Sequence, residues 1–434
     1  MPIMMETQHR GPRRVHYRSR HVAMNAICLI TDRLHAGYLG AYGNTWMETP
    51  ALDRLAGQSF VFDQALIDTP LLEPQCRSYW QGWHALCPPA QDRATLPAVL
   101  RRAGVTTALV TDEPLVRRHP LAADFDEIVE IDPPGEIHLA GEGEFHQTHL
   151  ARCFAQLVDW LGAARGPFLL WCHLAGLGTT WDAPMDFRLR YREESDPEPG
   201  DSARVPELML GERSDPDELL CHVQAYAGQV SLWDACLAAL LEALDDTPAG
   251  AETLLALGSA RGFPLGEHRR VGPCDAALYG ELVQVPLLLR FPGGLGAAAR
   301  SQALVEPGDL WATLLDCWQL PGAAACPSAQ SLMPIVRGER DALRDRICIA
   351  GGQTERAIRT PAWHLRTGRS TANPSPELFV KPDDRWEAND VSNRCQEVVE
   401  CLHLALEQCE QAIRVGLASD LPPLSDVLVN GLEQ

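Results

Sequence analysis

Asp32 follows directly on an apolar run, Ala26–Ile30, and Arg33 comes next. Open α/β sheets build their sites at the carboxyl ends of such strands. A second polar turn, Gly258-Ser259-Ala260-Arg261-Gly262, closes the apolar run Thr253–Leu257. Ser259 is not a nucleophile elbow, because the glycine before it stands at the wrong spacing for G-x-S-x-G. Cys76, in Cys76-Arg77-Ser78-Tyr79-Trp80, is the one thiol near this region that invites comparison with a nucleophile. Four histidines, His84, His119, His173 and His268, share no metal-ligand spacing. His173 lies in an apolar strand and is read as a satisfied interior histidine. Gly293-Gly294-Leu295-Gly296 lacks the lysine and hydroxyl residue of a phosphate loop and reads as a turn. The chain has 14 cysteines and no C-x-x-C pair, a pattern of reduced, mostly interior thiols. Cys395, Cys401 and Cys409 with His403 do not have the spacing of a zinc module.

The elements that must position these residues alternate. Strands are expected at Ala26–Ile30, Thr107–Thr111, Pro167–His173, Thr253–Leu257 and Val285–Phe291. Helices are expected at Ala51–Gly57, Leu96–Ala103, Thr148–Leu161, Asp217–Leu244 and Leu310–Leu320. Alternation of this kind implies parallel strands joined by crossover helices. Residues 185–217 are rich in Pro, Asp, Glu and Arg and read as a surface excursion. From about residue 341 the pattern changes to four short antiparallel strands, Ile347–Ala350, Arg356–Arg359, Trp363–Thr367 and Glu377–Val380. A last helix, Asn393–Val415, carries the apolar stripe Val398, Leu402, Ala405, Leu406, Cys409 and Ile413. The expected organisation is a basic arm (1–22), an α/β domain (23–340), a small α+β subdomain (341–416) and a tail (417–434).

The order of short motifs resembles the type I sulfatases of the alkaline phosphatase superfamily. It begins with Thr31-Asp32 after the first strand, then Tyr38-Leu39-Gly40, Tyr42-Gly43, Thr49-Pro50, Leu52-Asp53, Leu55-Ala56 and Phe62-Asp63 with Ala65, ahead of a Pro-containing turn. It continues through Tyr226–Asp234, Gly266-Glu267-His268, Val285-Pro286-Leu287, Val305-Glu306-Pro307 and Ala357-Ile358-Arg359-Thr360. Each motif is short, but together they run over about residues 24–390. The resemblance implies an alkaline-phosphatase-like α/β fold, a mostly parallel central sheet flanked by helices, with a small C-terminal α+β subdomain. Sulfuric ester hydrolysis would be the inherited activity.

The same resemblance identifies what the chain lacks. The family's nucleophile is a formylglycine made from Cys or Ser in C-x-P-x-R. The matching run is Leu72-Glu73-Pro74-Gln75-Cys76, with Leu72 at the nucleophile and Cys76 at the arginine. A hydrocarbon cannot become an aldehyde hydrate. The family's calcium is held by two adjacent aspartates and by an Asp-Asn or Asp-His pair. Asp32 keeps the first position, while Arg33, Ala260 and Arg261 fill the others, and a hard cation needs oxygen ligands there. Of the sulfate-binding groups, Asp112 and Asp275 replace lysines, and Pro114 and Gly178 replace histidines. Each lysine-to-aspartate change turns an attraction for an anion into a repulsion of about 4 kcal/mol at ~4 Å and an effective dielectric of ~20. A vestigial pocket would be lined by Asp32, Arg33, Glu73, Arg77, Arg261 and His268. A guanidinium from Arg261 is expected to pair with Asp32 and take the place of the metal.

The net charge of −21 excludes the phosphate backbone of nucleic acids and anionic membranes as partners. Arg10, Arg13, Arg14, Arg18 and Arg20 form a solvated arm rather than a signal peptide, and no apolar spanning segment stands out, so a cytoplasmic location is expected. The resulting expectation is a sulfatase-family chain without activity, bound metal or cofactor, acting through a protein partner or a second copy of itself. The alternatives are a hydrolase with a remodelled site and a structural subunit that pairs with an active paralogue.

Overall fold

The computed structural model describes residues 24–89, 93–135, 137–247, 250–320, 328–352, 355–368 and 375–432. The basic arm lies outside the described residues.

The strands before residue 340 are β1 (Asn25–Thr31), β2 (Phe60–Leu66), β3 (Thr106–Thr111), β4 (Glu127–Glu130), β5 (Phe168–Leu174), β6 (Leu208–Met209), β7 (Thr253–Gly258), β8 (Arg270–Val271), β9 (Gln284–Arg290) and β10 (Ala299–Val305). Eight of them form one sheet in the order β10-β2-β9-β7-β1-β5-β3-β4. Only β9 runs against the others, pairing antiparallel with β2 and β7. β1 and β5 are buried at every position, as strands covered on both faces must be. Alternation divides β1 between two cores. Ile27 and Leu29 join Phe154, Leu157, Trp233 and Leu237 on one face, while Cys28 and Ile30 join Trp80, Leu100, Trp311 and Leu314 on the other.

The helix starts are locally encoded. Thr148 and Thr95 each accept a backbone N–H of the first helical turn. Asp215 caps the helix Pro216–Asp245, with proline in its first turn. That helix has 30 residues and is apolar enough to cross a membrane by length and composition, but 72% of its most apolar window is buried inside the protein. The Pro-containing turn after β2 runs into a helix, Leu72–Gln81. Pro74 is tolerated there because the first-turn N–H groups have no intrahelical acceptor. The excursion at residues 185–217 is partly built into the fold. Arg188 is buried, and its guanidinium donates to the carbonyls of Gly200, Trp181 (2.6 Å) and Ser202 (2.9 Å). The loop closes on its own charged residue.

The small subdomain is a four-stranded antiparallel sheet, β11 (Ile347–Gly351), β12 (Glu355–Arg359), β13 (Trp363–Gly368) and β14 (Glu377–Val380), in sequence order. The helix Gln396–Val415 covers it with the six residues of the expected stripe, all buried. Beyond that helix, Leu428 is buried, and the Val427 carbonyl accepts the Trp363 indole N–H at 2.8 Å. The seam with the large domain is ionic and aromatic. Tyr279 lies between the His268 ring (centroids 3.5 Å apart) and the Arg366 guanidinium (3.7 Å from its ring), and Arg366 pairs with Glu355 and Glu377.

Candidate functional site

The carboxyl ends of β1, β5 and β7 meet the turn before Leu72 and a loop from Cys274 to Tyr279. Asp32 leaves β1 with its backbone N–H bonded to the Leu174 carbonyl at 2.8 Å, and Leu177 donates back to the Asp32 carbonyl at 3.2 Å. Arg33 then adopts φ 63°, a left-handed conformation that is uncommon for an arginine. Tyr226 fixes this turn by donating its hydroxyl to the Arg33 carbonyl at 2.8 Å and accepting the His35 N–H at 2.9 Å. Ser259 fixes the facing turn, accepting from Leu34 N–H at 3.2 Å and donating to the Arg261 carbonyl at 2.6 Å.

Between the two turns lies a closed ionic cluster. Arg261 spans the Asp32 carboxylate with both arms of its fork, Nε to Oδ1 at 3.0 Å and Nη2 to Oδ2. Its Nη1 donates to Asp275 at 3.1 Å and to the Pro70 carbonyl at 3.2 Å. Arg33 places Nε 3.8 Å from Asp32, and donates to Asp275 at 2.6 Å and to the Cys274 carbonyl at 2.9 Å. Asp32, Arg33 and Arg261 are buried, whereas the Asp275 side chain is 45% exposed and closes the cluster toward solvent. Burial alone would raise the Asp32 pKa, but Arg261 and then Arg33 outweigh it and hold the carboxyl below its ordinary value. Burial likewise works against the Arg261 charge, and Asp32, Asp275 and Glu113 overcome it and push its pKa up. Gly178 makes room for Arg33: a Cβ there would stand 3.0 Å from the Arg33 Cγ.

The remaining residues of interest fall around this cluster. Leu72 is the first residue of its helix and is buried in the apolar core. Ala260 is buried, and its carbonyl accepts from Gln75 at 2.6 Å. Cys76 is buried, and desolvation pushes its thiol far up, the reverse of what a nucleophile needs. Asp112 leaves β3 and accepts from the Ala175 N–H at 2.7 Å. Its other oxygen faces His149 Nε2 at 2.7 Å. Pro114 is exposed and opens a short helix, Pro114–Arg117, that buries Val116. Glu73 points to solvent, and Arg77 donates to the Cys87 carbonyl at 3.2 Å. His268 belongs to the subdomain seam, with Nδ1 2.8 Å from Glu281 and Nε2 3.1 Å from the Glu387 carbonyl.

Glu73, Arg77 and His268 therefore make no bond to the cluster among the described residues and do not line one pocket with Asp32, Arg33 and Arg261, because each is held by partners of its own. Two further features depart from the sequence reading. Asp275 is the shared counter-ion of both arginines. The signal for it was the joint gain of two cations and an anion at one site. His173 was expected to be satisfied, yet neither ring nitrogen has a hydrogen-bond partner among the described residues. Backbone pairing with β1 and β3 fixes its strand position, and its neighbours there are apolar or already bonded. Burial lowers its pKa to about 4, with Asp32 opposing that shift, Arg261 adding to it and Asp112 opposing. The sign follows from linkage. The native state binds fewer protons than the unfolded chain between about 4 and 6.5, so stability is complete above about 6.5 and falls as the pH drops through that window. His173→Leu is expected to remove a component on the order of 3 kcal/mol from the acid-side loss. Denaturant melts at pH 7 and pH 4 check it: equal losses in both proteins would contradict the assignment.

Asp112, His149 and Cys153 offer ligand atoms within 4.8 Å of one another, a donor set that zinc accepts. Arg152 Nη2 stands 3.4 Å from His149 Nδ1. That contact assigns the ring proton to Nε2, directed at Asp112, which makes the group a hydrogen-bonded pair.

A family profile described as Sulfatase matches residues 24–320 of the 434. The chain belongs to the sulfatase family. It is similar to human iduronate 2-sulfatase, at 23% identity, with 81% of this chain and 73% of that protein covered. Among solved structures it resembles the phosphonate monoester hydrolase of Agrobacterium radiobacter (TM-score 0.71, 16% identity, 90% and 95% of the two chains). It also resembles BT4656, solved with its substrate D-glucosamine-2-N,6-O-disulfate (TM-score 0.72, 17% identity, 90% and 98%). These likenesses show the sulfatase fold with its mostly parallel sheet and C-terminal antiparallel subdomain. They leave the chemistry to the residues. The family's calcium needs six or more oxygen ligands. Here the two carboxylates of the cluster, Asp32 and Asp275, are already bonded to two guanidinium groups. These residues do not fit the ion.

Proposed function

We propose that this sulfatase-family protein does not hydrolyse sulfuric esters and works instead as a binding or scaffolding protein. The observation that carries this reading is the Asp32–Arg261–Asp275–Arg33 cluster. It fills the place of the family's metal with protein cations and seals it with an aspartate where the family has a lysine. Leu72 at the nucleophile position supports the same reading, since no enzyme can oxidise its side chain to an aldehyde hydrate. The charge reversal is internally compensated: two arginines are matched by two aspartates. An unpaired buried charge is strongly destabilising, so this matching keeps the fold stable without the residues of the reaction.

The test is hydrolysis of an aryl sulfate by purified protein, with and without calcium, after co-expression with a formylglycine-generating enzyme. The expected result is no turnover above the uncatalysed rate, because removal of a covalent nucleophile together with its metal costs many orders of magnitude. Turnover that follows the protein through purification and disappears in Arg261→Ala would overturn the proposal.

A further inference from the structure

The edge of the sheet carries a second polar cavity, which shares no lining residue with the Asp32 cluster. It has a volume of about 270 Å³ and is lined by Asp63, Gln64, Arg300, Arg359, Lys381 and Arg385, among others. Two bulges aim these side chains. β10 places one extra residue opposite β2 at Gln302–Ala303, and β2 places one extra residue opposite β9 at Asp63–Gln64. Bulges of this kind re-aim side chains next to sites.

Four cations and one carboxylate thus face one cavity, in a chain whose net charge is −21. Two of the cations are matched. Arg300 pairs with Asp63 at 3.0 Å, and Lys381 pairs with Glu387 at 2.8 Å from behind the wall. The other two are not. Arg359 is 2% exposed, and among the described residues its guanidinium reaches the Gln64 side-chain oxygen (2.7 Å) and the Trp363 carbonyl (3.4 Å) and makes no ion pair. Arg385 stands beside the Trp386 ring at 5.2 Å and has no ion pair among the described residues. A guanidinium buried without a counter-charge is strongly destabilising. Burial lowers the pKa of Arg359 to about 10, with Glu387 opposing it, and lowers that of Arg385, with Asp63 opposing it.

We propose that this cavity binds a small divalent oxyanion, a sulfate or phosphate group either free or carried on a small molecule. Arg300, Arg359, Lys381 and Arg385 set against Asp63 and Glu387 leave a surplus of two positive charges at this wall, and planar guanidinium forks suit tetrahedral oxyanions through paired N–H donors. A carboxylate would match only one of the two. Gln64 and Gln302 link the same wall, Gln64 donating to the Gln302 side-chain oxygen at 3.3 Å and Gln302 donating to Asp63.

Calorimetry and thermal melts with inorganic sulfate and inorganic phosphate, against acetate and chloride at equal ionic strength, test the assignment. Saturable binding of sulfate or phosphate is expected, with a rise in Tm that acetate does not produce. Arg385→Gln should weaken it about tenfold or more, and Arg385→Lys should keep part of it. Arg385 is exposed, so its variants will fold even where Arg359 variants do not. Arg165→Gln, an equal charge change beside the start of β5, should bind as the wild type does. The proposal is overturned if neither anion exceeds acetate, or if Arg385→Gln binds with unchanged affinity. Preference between sulfate and phosphate then identifies which group the ligand carries.

Discussion

Replacing Arg261 with alanine is expected to destabilise the fold by about 3–5 kcal/mol at neutral pH. The size follows from what remains. Asp32 is 2% exposed, and its two oxygens are held chiefly by the Arg261 fork. Arg33 cannot take over the fork, because its own guanidinium is committed to Asp275 and the Cys274 carbonyl. The variant therefore buries a carboxylate with only a backbone N–H and a distant cation for support. The pH dependence supplies a second check. In the wild type the depressed Asp32 pKa contributes stability above the carboxyl's unfolded value, and this is lost as the pH falls through the folded one. In the variant Asp32 can protonate, which relieves the buried charge. The gap between the two proteins should be widest near pH 7 and should narrow below about pH 4. Adding Asp32→Asn to Arg261→Ala should recover part of the loss, since it removes the orphaned charge. Urea melts of the three proteins measure this. A loss under about 1 kcal/mol for Arg261→Ala would mean that the pair is no stronger than a surface ion pair.

The fold was legible where burial is uniform. β1 and β5 are built on apolar runs, Ala26–Ile30 and Phe168–Cys172, and the helix Pro216–Asp245 lies within one residue of its expected ends because its periodic stripe is long. β10 was hidden because it is an edge strand, with Arg300 and Gln302 exposed between less exposed neighbours. β4 was hidden because its four residues, Glu127-Ile128-Val129-Glu130, are an edge strand with no fully buried position. The helix Leu72–Gln81 was masked by Pro74, which signals a turn in sequence and yet is harmless in a first helical turn.

The site was legible as a set of substitutions, because motif order fixed which positions had changed. Its partners were not. Asp275 reaches Arg33 from 242 residues away, and the carbonyls of Pro70 and Cys274 have no sequence signature at all. His149, which answers Asp112, comes from a helix that no motif connected to the site. The cavity at Arg359 and Arg385 depends on two bulges and on a loop of the small subdomain, and neither follows from local pattern.

Restoring the oxygen ligands should restore the ion. The variant Arg33→Asp, Ala260→Asp, Arg261→Asn removes both guanidinium groups and returns three oxygen-bearing side chains to the turns after β1 and β7. Local geometry favours the first change, since Arg33 sits at φ 63°, a conformation that aspartate tolerates better than arginine. Asp275 loses its partners but is 45% exposed, so water can solvate it. Without metal the variant gathers carboxylates with no cation between them, and it should be less stable than the wild type. Calcium should then raise its Tm strongly, contributing about 2.7 kcal/mol at a free concentration 100-fold above Kd. The wild type should show no calcium response, because Arg33 and Arg261 exclude a divalent cation by like charge and occupy the carboxylates it would need. Thermal melts of both proteins across a calcium titration, with magnesium as the control, decide the matter. A calcium-dependent rise in the wild type would mean that the cluster has not replaced the metal. A variant that is folded and indifferent to calcium would mean that these positions do not converge on one ion site.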